Sequence, residues 1–216
     1  MSCFCAKTEI VPQARTSRLQ LFLKRWVDLL GAAVLILLLS PVFVVVGLLV
    51  MFEDGLPIIY RRRVIGITSQ FDAFKFRSMR RDADSILASN PVLKAEFEHN
   101  FKLKNDPRVT RVGAFLRKAS LDELPQLFNV LRGEMSLVGP RMITAPELEK
   151  YGPHRHLLLT VKPGLTGYWQ VRGRQSVSYE ERVSMDIYYI QNWNLGMDLK
   201  ILAWTPWKVL KREGAF

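Results

Sequence analysis

The apolar positions of this chain form one long block and several short periodic ones. Leu29 to Phe52 (LLGAAVLILLLSPVFVVVGLLVMF) runs for 24 residues without a charge, and as a helix rising 1.5 Å per residue it is long enough to cross a hydrocarbon core of about 30 Å. Ser40-Pro41 divides the block into two limbs of 12 residues, each about 18 Å as helix and close to the depth of one leaflet. Pro41 removes one backbone donor and crowds the turn before it, and the Ser40 hydroxyl is suited to satisfy a carbonyl so freed. Arg15, Arg18, Lys24 and Arg25 precede the block, and Arg61, Arg62 and Arg63 follow it. A simple span carries its Lys/Arg excess on one side only. The pattern therefore predicts a re-entrant helix-break-helix over 19–54 that enters and leaves by the cytoplasmic face, with a kinked spanning helix as the alternative. A cleaved signal peptide fits poorly, because its apolar core is usually about 7 to 15 residues and Val50-Met51-Phe52-Glu53 offers no small-residue cleavage site.

Elsewhere the periodicities are short. Residues 1–18 lack a pattern and read as a flexible tail, and 55–216 read as one cytoplasmic domain. Pro57-Ile58-Ile59-Tyr60 and Phe71 to Phe76 alternate in part around Gly66, as paired strands do. Met79 to Lys104 turns helical and charged, with Asn90-Pro91 as an internal break. Leu124, Leu127, Phe128 and Leu131 recur at helical spacing until Gly133. Ser136-Leu137-Val138 is a candidate strand, Lys162-Pro163-Gly164 and Gly167 read as turn chemistry around Tyr168 to Val171, and Ser178 with Glu181 forms a capping box for a helix toward Trp193. Asp198 to Arg212 mixes Leu, Ile and Trp with Lys and Arg. It suits either a headgroup layer or a core helix with Trp204 and Trp207 inward. The expected fold class is α+β and mostly helical: a membrane anchor plus a compact domain with a few short strands and amphipathic interfacial helices.

Composition narrows the partners. With 216 residues the chain has the size of one domain or slightly more. Lys and Arg number 31 against 20 Asp and Glu, a net +11, which favours an anionic partner: nucleic acid, an anionic membrane face or phosphorylated substrates. Cys3 and Cys5 lie in the first five residues and suit neither a disulfide framework nor a four-ligand zinc site, and His99, His154 and His156 lack a matching cluster. No helix-turn-helix, zinc-finger or RNA-binding signature supports nucleic acid as the partner.

The chemistry concentrates at Ser120-Leu121-Asp122-Glu123-Leu124-Pro125. Ser120 and Glu123 match a capping box, and acids favour helix N-termini for dipole reasons alone. Were Ser120 the cap, however, Pro125 would sit at the fifth helical position and forfeit a hydrogen bond. Pro125 is better suited to a first helical turn, which leaves Asp122 and Glu123 on a strained turn at the helix edge. Adjacent carboxylates beside arginines have a use with phosphate esters: one attacks phosphorus while the other holds a divalent metal. Arg117, Arg141 and Arg108 are the candidate clamps, since guanidinium groups bind phosphate in bidentate fashion.

From about Lys24 to its end the chain resembles the bacterial sugar transferase family, the monotopic polyprenyl-phosphate sugar-1-phosphate transferases. Lys24-Arg25 with Asp28, Ser40-Pro41, Lys75-Phe76-Arg77-Ser78-Met79, Asp106 to Thr110, Leu116 to Asn129, Ser136 to Arg141 and Pro163 to Gly167 stand in family order. The nearest likeness is to small members of exopolysaccharide pathways. The resemblance implies that Asp122 attacks the sugar-bearing phosphate of a UDP-sugar, releasing UMP, and that undecaprenyl phosphate then takes the phosphosugar. It further implies Mg2+ held by Asp122 and Glu123, and phosphate contacts from Arg117, Arg141, Arg108, Lys75 and Arg77. Lys24, Arg25, Ser40 and Pro41 become the anchor in membrane lipids at the cytoplasmic face of the bacterial inner membrane. A homodimer is compatible with this reading, and nucleic acid is not an expected partner. Met142 stands where the family usually has proline, and Tyr168 where it has an aromatic residue or leucine.

Overall fold

The structure, a computed structural model, describes residues 17–100, 103, 106–173 and 177–210. Residues 1–16 of the expected tail, Cys3 and Cys5 among them, and the last residues of the basic C-terminal segment lie outside them, whereas Ser17 and Arg18 cap and open the first helix. Helix α1 runs from Arg18 to Asp54 without interruption. The hydrogen-bonded helix therefore does not stop at Ser40-Pro41, and the reason is local. Pro41 lacks the N–H that would reach the Leu37 carbonyl, and the Ser40 hydroxyl donates to that same carbonyl at 2.8 Å, so the helix continues through the proline. Gly55, at φ +71°, closes it with an N–H to the Met51 carbonyl at 2.8 Å. Apolar side chains along α1 are largely exposed, Leu37 at 75% and Phe52 at 80%. By length and composition α1 is able to cross a membrane.

Both ends of α1 dock on one body. Near its start, Arg25 donates to the Val130 and Leu131 carbonyls at 2.8 and 3.0 Å. Asp28, buried, accepts from the Ser136 hydroxyl and the Leu137 N–H, both at 2.9 Å. Near its end, Val46 and Val50 pack with Phe76 and Leu116, the Glu53 carboxylate accepts from the Val112 N–H at 3.1 Å, and Asp54 pairs with Arg77 at 3.1 Å. Phe43 packs against the clusters at both ends.

The body begins with an antiparallel hairpin, β1 (Ile59–Ile65) and β2 (Gln70–Phe76), in the register Ile59 to Phe76 and Ile65 to Gln70. Helices α2 (Ala83–Ser89) and α3 (Pro91–Asn100) follow, parted at Asn90 as Pro91 requires. Next come α4 (Arg111–Lys118), capped by Thr110, and α5 (Gln126–Arg132), stopped by Gly133 at φ +80°. Strand β3 (Ser136–Val138) pairs in parallel with β4 (Gly164–Thr166) across the short helices α6 (Ala145–Leu148) and α7 (Arg155–Leu158). Tyr168–Arg172 forms a short helix, α8, where the sequence suggested turn chemistry. Helix α9 (Tyr179–Asn192) carries the reciprocal Ser178–Glu181 capping box, and α10 (Leu195–Leu210) closes the described chain. Trp204 and Trp207 on α10 point outward, 44% and 61% exposed, which excludes the core-helix alternative. A mostly helical α+β domain with one long apolar helix is thus what the chain forms.

Candidate functional site

Helix α4 ends at Lys118 with Ala119 as its cap, and Ser120 then adopts φ +55°, the left-handed region. It is the one non-glycine residue there among the described residues, and such a value is strained for serine. The kink throws Leu121–Glu123 into a single 3-10 turn, with Pro125 immediately ahead of α5. Ser120 makes no side-chain cap bond, so the acids stand on a turn at the helix edge and not inside a capping box. Leu121 and Leu124 pack with Val46, Val50, Phe76 and Leu116, which seats the acid turn on the second half of α1.

Strand β2 brings Lys75 to this turn, its Nζ 2.6 Å from Glu123 Oε1 and 3.8 Å from Asp122 Oδ2. Its position is set by fully buried Asn129 on α5, whose Oδ1 accepts from the Phe74 N–H at 2.9 Å and whose Nδ2 donates to the Asp72 carbonyl at 2.8 Å. Arg141, just beyond β3, has a guanidinium nitrogen 3.7 Å from Glu123 Oε1. Arg117, in the last turn of α4, donates from Nε to the Ser78 hydroxyl at 2.9 Å. Lys75, Arg117 and Arg141 therefore converge on the acid pair from three separate elements.

The two acids differ electrostatically. Burial raises the Asp122 carboxyl above the usual carboxylate range, with Glu123 reinforcing it and Lys75, Arg117 and Arg141 pulling the other way. Burial would raise Glu123 too, but Lys75 and Arg141 outweigh it and hold that carboxyl at about 2. Glu123 is thus a fixed anion, while Asp122 is the more basic and less tightly partnered carboxyl. Among the described residues no group of three or more His, Cys, Asp and Glu gathers to hold a metal. The pair offers hard carboxylate oxygens only, the donor set that suits Mg2+ shared with substrate phosphates and water.

Two other expected phosphate ligands face internal partners. Arg108 is clasped by Asp106 through bonds of 2.8 and 2.7 Å and lies over the Phe97 ring. Arg77 donates to the Asp54 and Gly55 carbonyls at 2.8 and 2.6 Å, closing off the end of α1. Each guanidinium is committed to nearby acceptors, so neither joins Lys75, Arg117 and Arg141 at the acids.

Residues 19–212 match the family model described as bacterial sugar transferase. The chain belongs to the bacterial sugar transferase family. It is 50% identical over 199 residues to the UDP-galactose-lipid carrier transferase of Erwinia amylovora, covering 90% of this chain and 42% of that protein. It is 47% identical over 207 residues to the undecaprenyl-phosphate galactose phosphotransferase of Salmonella typhimurium, covering 94% and 43%. Exopolysaccharide production protein ExoY of Rhizobium meliloti is 48% identical over 198 residues, covering 89% and 88%. The chain thus spans about two fifths of the first two relatives and most of the third.

In this chain, Arg141 is backed by residues that the sequence did not single out. Its guanidinium lies 5.8 Å from the Trp169 ring centre, and that of Arg182 lies 5.5 Å from the same ring and 4.7 Å from Tyr179. Asp186, fully buried, accepts from the Tyr151 hydroxyl at 2.8 Å. The available signal was the four-residue spacing of Arg182 and Asp186 on α9, which puts them on one helical face. Burial lifts the Asp186 carboxyl to about 7, although Arg182 and the Tyr151 hydroxyl oppose the shift. A carboxyl whose folded pKa is raised binds its proton more tightly in the native state, so stability falls as pH rises from about 4 to 7. The penalty reaches at most about 4 kcal/mol. Asp186→Asn should remove it: between pH 5 and 7.5 the melting temperature of the native chain should fall more steeply than that of the variant. Parallel curves would mean that Asp186 is ionised throughout.

Proposed function

We propose that this chain transfers a hexose-1-phosphate from a UDP-sugar to undecaprenyl phosphate, the first membrane step in assembling an exopolysaccharide or related glycoconjugate. The observation that carries the reading is the acid turn, with Asp122 and Glu123 ringed by Lys75, Arg117 and Arg141 and seated on α1. The names of the Erwinia and Salmonella relatives support the donor and the acceptor.

In the first step an Asp122 oxygen attacks the sugar-bearing phosphorus. The bond from that phosphorus to the bridging oxygen breaks, UMP leaves, and a phosphosugar stays on the aspartate. In the second, an oxygen of undecaprenyl phosphate attacks the same phosphorus, the aspartyl bond breaks, and the carboxylate is regenerated with undecaprenyl-diphospho-sugar as product. Only P–O bonds are exchanged, so the anomeric carbon keeps its configuration. The raised basicity of Asp122 favours the attack, and Arg117 and Arg141 neutralise the phosphate oxygens. Lys75 holds Glu123 in place. Asp122 and Glu123 would hold Mg2+, which when bound adds charge neutralisation on the diphosphate.

The re-entrant reading of α1 belongs to the same proposal. A spanning helix would put Arg25 and Asp54 on opposite sides of the bilayer, whereas both bind the same packed body. That supports entry and exit at the cytoplasmic face of the inner membrane, where a cytoplasmic nucleotide sugar meets a lipid phosphate.

The test is UMP release by the purified chain in detergent with Mg2+, a panel of UDP-hexoses and undecaprenyl phosphate. At least one donor should give acceptor-dependent UMP, and silence with every donor would overturn the reading. Topology has its own measurement: single cysteines at Gln20 and Ser69 should react with an impermeant reagent from the same side of the membrane. Opposite-side labelling would restore the spanning helix.

A further inference from the structure

The cleft at the turn of the β1–β2 hairpin has no part in the chemistry above. It encloses about 700 Å³ and is walled by Arg61, Arg63, Arg132 and Lys162, with Asp72 and Glu134 as its acids. Those acids are already engaged: Asp72 pairs with Arg63 at 3.1 Å, and Glu134 accepts from the Asn129 amide at 2.7 Å. Arg132 lies over the Phe74 ring, 4.7 Å from its centre.

At its inner end the cleft meets α1. A Cβ placed on Gly133 would stand 3.3 Å from an Arg25 guanidinium nitrogen and 3.6 Å from Lys162 Nζ, so the two cationic groups lie within about 7 Å of each other. Arg25 spends its donors on carbonyls at the end of α5, and the nearby carboxylate of Asp28 is itself engaged by Ser136 and Leu137. The Lys162 ammonium is accordingly pushed below its ordinary range, by burial first and then by Arg25. Arg25 also precedes the start of the apolar run, Leu29, by one helical turn. The inner end of the cleft therefore stands at the level where α1 meets the apolar layer.

We propose that this cleft binds the phosphate of an anionic phospholipid headgroup from the leaflet that α1 enters. It is separate from the acid pair, because Phe74 at the cleft and Lys75 at the acids are successive residues of β2 and point to opposite faces. Arg61, Arg132 and Lys162 around one concavity at headgroup depth, with Arg63 already paired to Asp72, suit a lipid phosphate, whose attraction grows with each Lys or Arg near the surface. The inference rests on the membrane insertion of α1 proposed above, not on the transfer reaction.

The test uses the full chain in nanodiscs of phosphatidylcholine with and without phosphatidylglycerol, with bound lipid counted by native mass spectrometry after detergent release. The native chain should retain phosphatidylglycerol over phosphatidylcholine, and Arg132→Gln combined with Lys162→Gln should cut that preference roughly tenfold or more. Arg132→Lys with Lys162→Arg should restore it. If the double variant does not fold, Arg61→Gln on the exposed rim carries the same test with a smaller loss. Equal retention by the glutamine variants would overturn the proposal. So would protection from thermal unfolding by free inorganic phosphate or glycerol phosphate without a phosphatidylglycerol effect, which would assign the cleft to a soluble anion. UMP release in phosphatidylcholine alone is read separately. Its absence in the native chain would count against the transferase reading and leave the lipid counts interpretable.

Discussion

Asp122→Asn should lower UMP release by at least about 10³-fold while leaving the KM for the UDP-sugar within a few-fold. The amide keeps the shape of the side chain but cannot attack phosphorus, whereas Lys75, Arg117 and Arg141 remain to bind the donor. The sharper measurement omits the lipid acceptor. The native chain should then release one UMP per active site in a burst and keep a labelled phosphosugar on the peptide that carries Asp122. The asparagine variant should show neither. Label on another residue would move the nucleophile, and a native chain without burst or label would favour direct transfer between donor and lipid. Glu123→Gln separates the roles within the pair. It should weaken turnover without abolishing the burst, since Glu123, held low by Lys75 and Arg141, acts as a fixed charge.

The second large effect falls on stability, at a carboxylate outside the acid pair. Asp198 is 2% exposed and accepts three bonds, from Lys24 Nζ at 2.6 Å, the Tyr189 hydroxyl at 2.7 Å and the Trp193 indole N–H at 3.1 Å. It joins the start of α1 to α9 and α10. Asp198→Ala leaves the Lys24 charge without its carboxylate and the Trp193 N–H without its acceptor, while Lys24 and the Tyr189 hydroxyl keep the Val138 carbonyl, at a cost of about 3–5 kcal/mol. Thermal unfolding in detergent should show this as a large fall in melting temperature. Lys24→Met combined with Asp198→Leu should recover part of the loss, because removing both charges costs less than orphaning one. A loss under about 1 kcal/mol for Asp198→Ala would mean that water reaches the site.

The elements legible in the residues are those whose causes are local. The apolar run became α1 because its length and hydropathy are properties of one segment. The Ser178–Glu181 capping box and the Gly133 stop hold because caps act within a few residues. The strained turn beneath Asp122 was legible too, through the position of Pro125. At Ser40-Pro41 the same local reasoning found the freed carbonyl that the Ser40 hydroxyl takes, but the helix does not stop there.

Partner choice was not legible. Arg77, Arg108, Arg117 and Arg141 carry the same guanidinium group, and only the packed chain assigns the first two to internal acceptors and brings the last two to the acids. Lys75 meets a carboxylate 48 residues away, and Lys24 meets one 174 residues away. What the residues determine unaided is where a helix, strand or turn must form, because propensity, capping and periodicity are short-ranged. Which charges face one another is a tertiary decision, because a charge is satisfied by whatever acceptor the fold brings within about 3 Å.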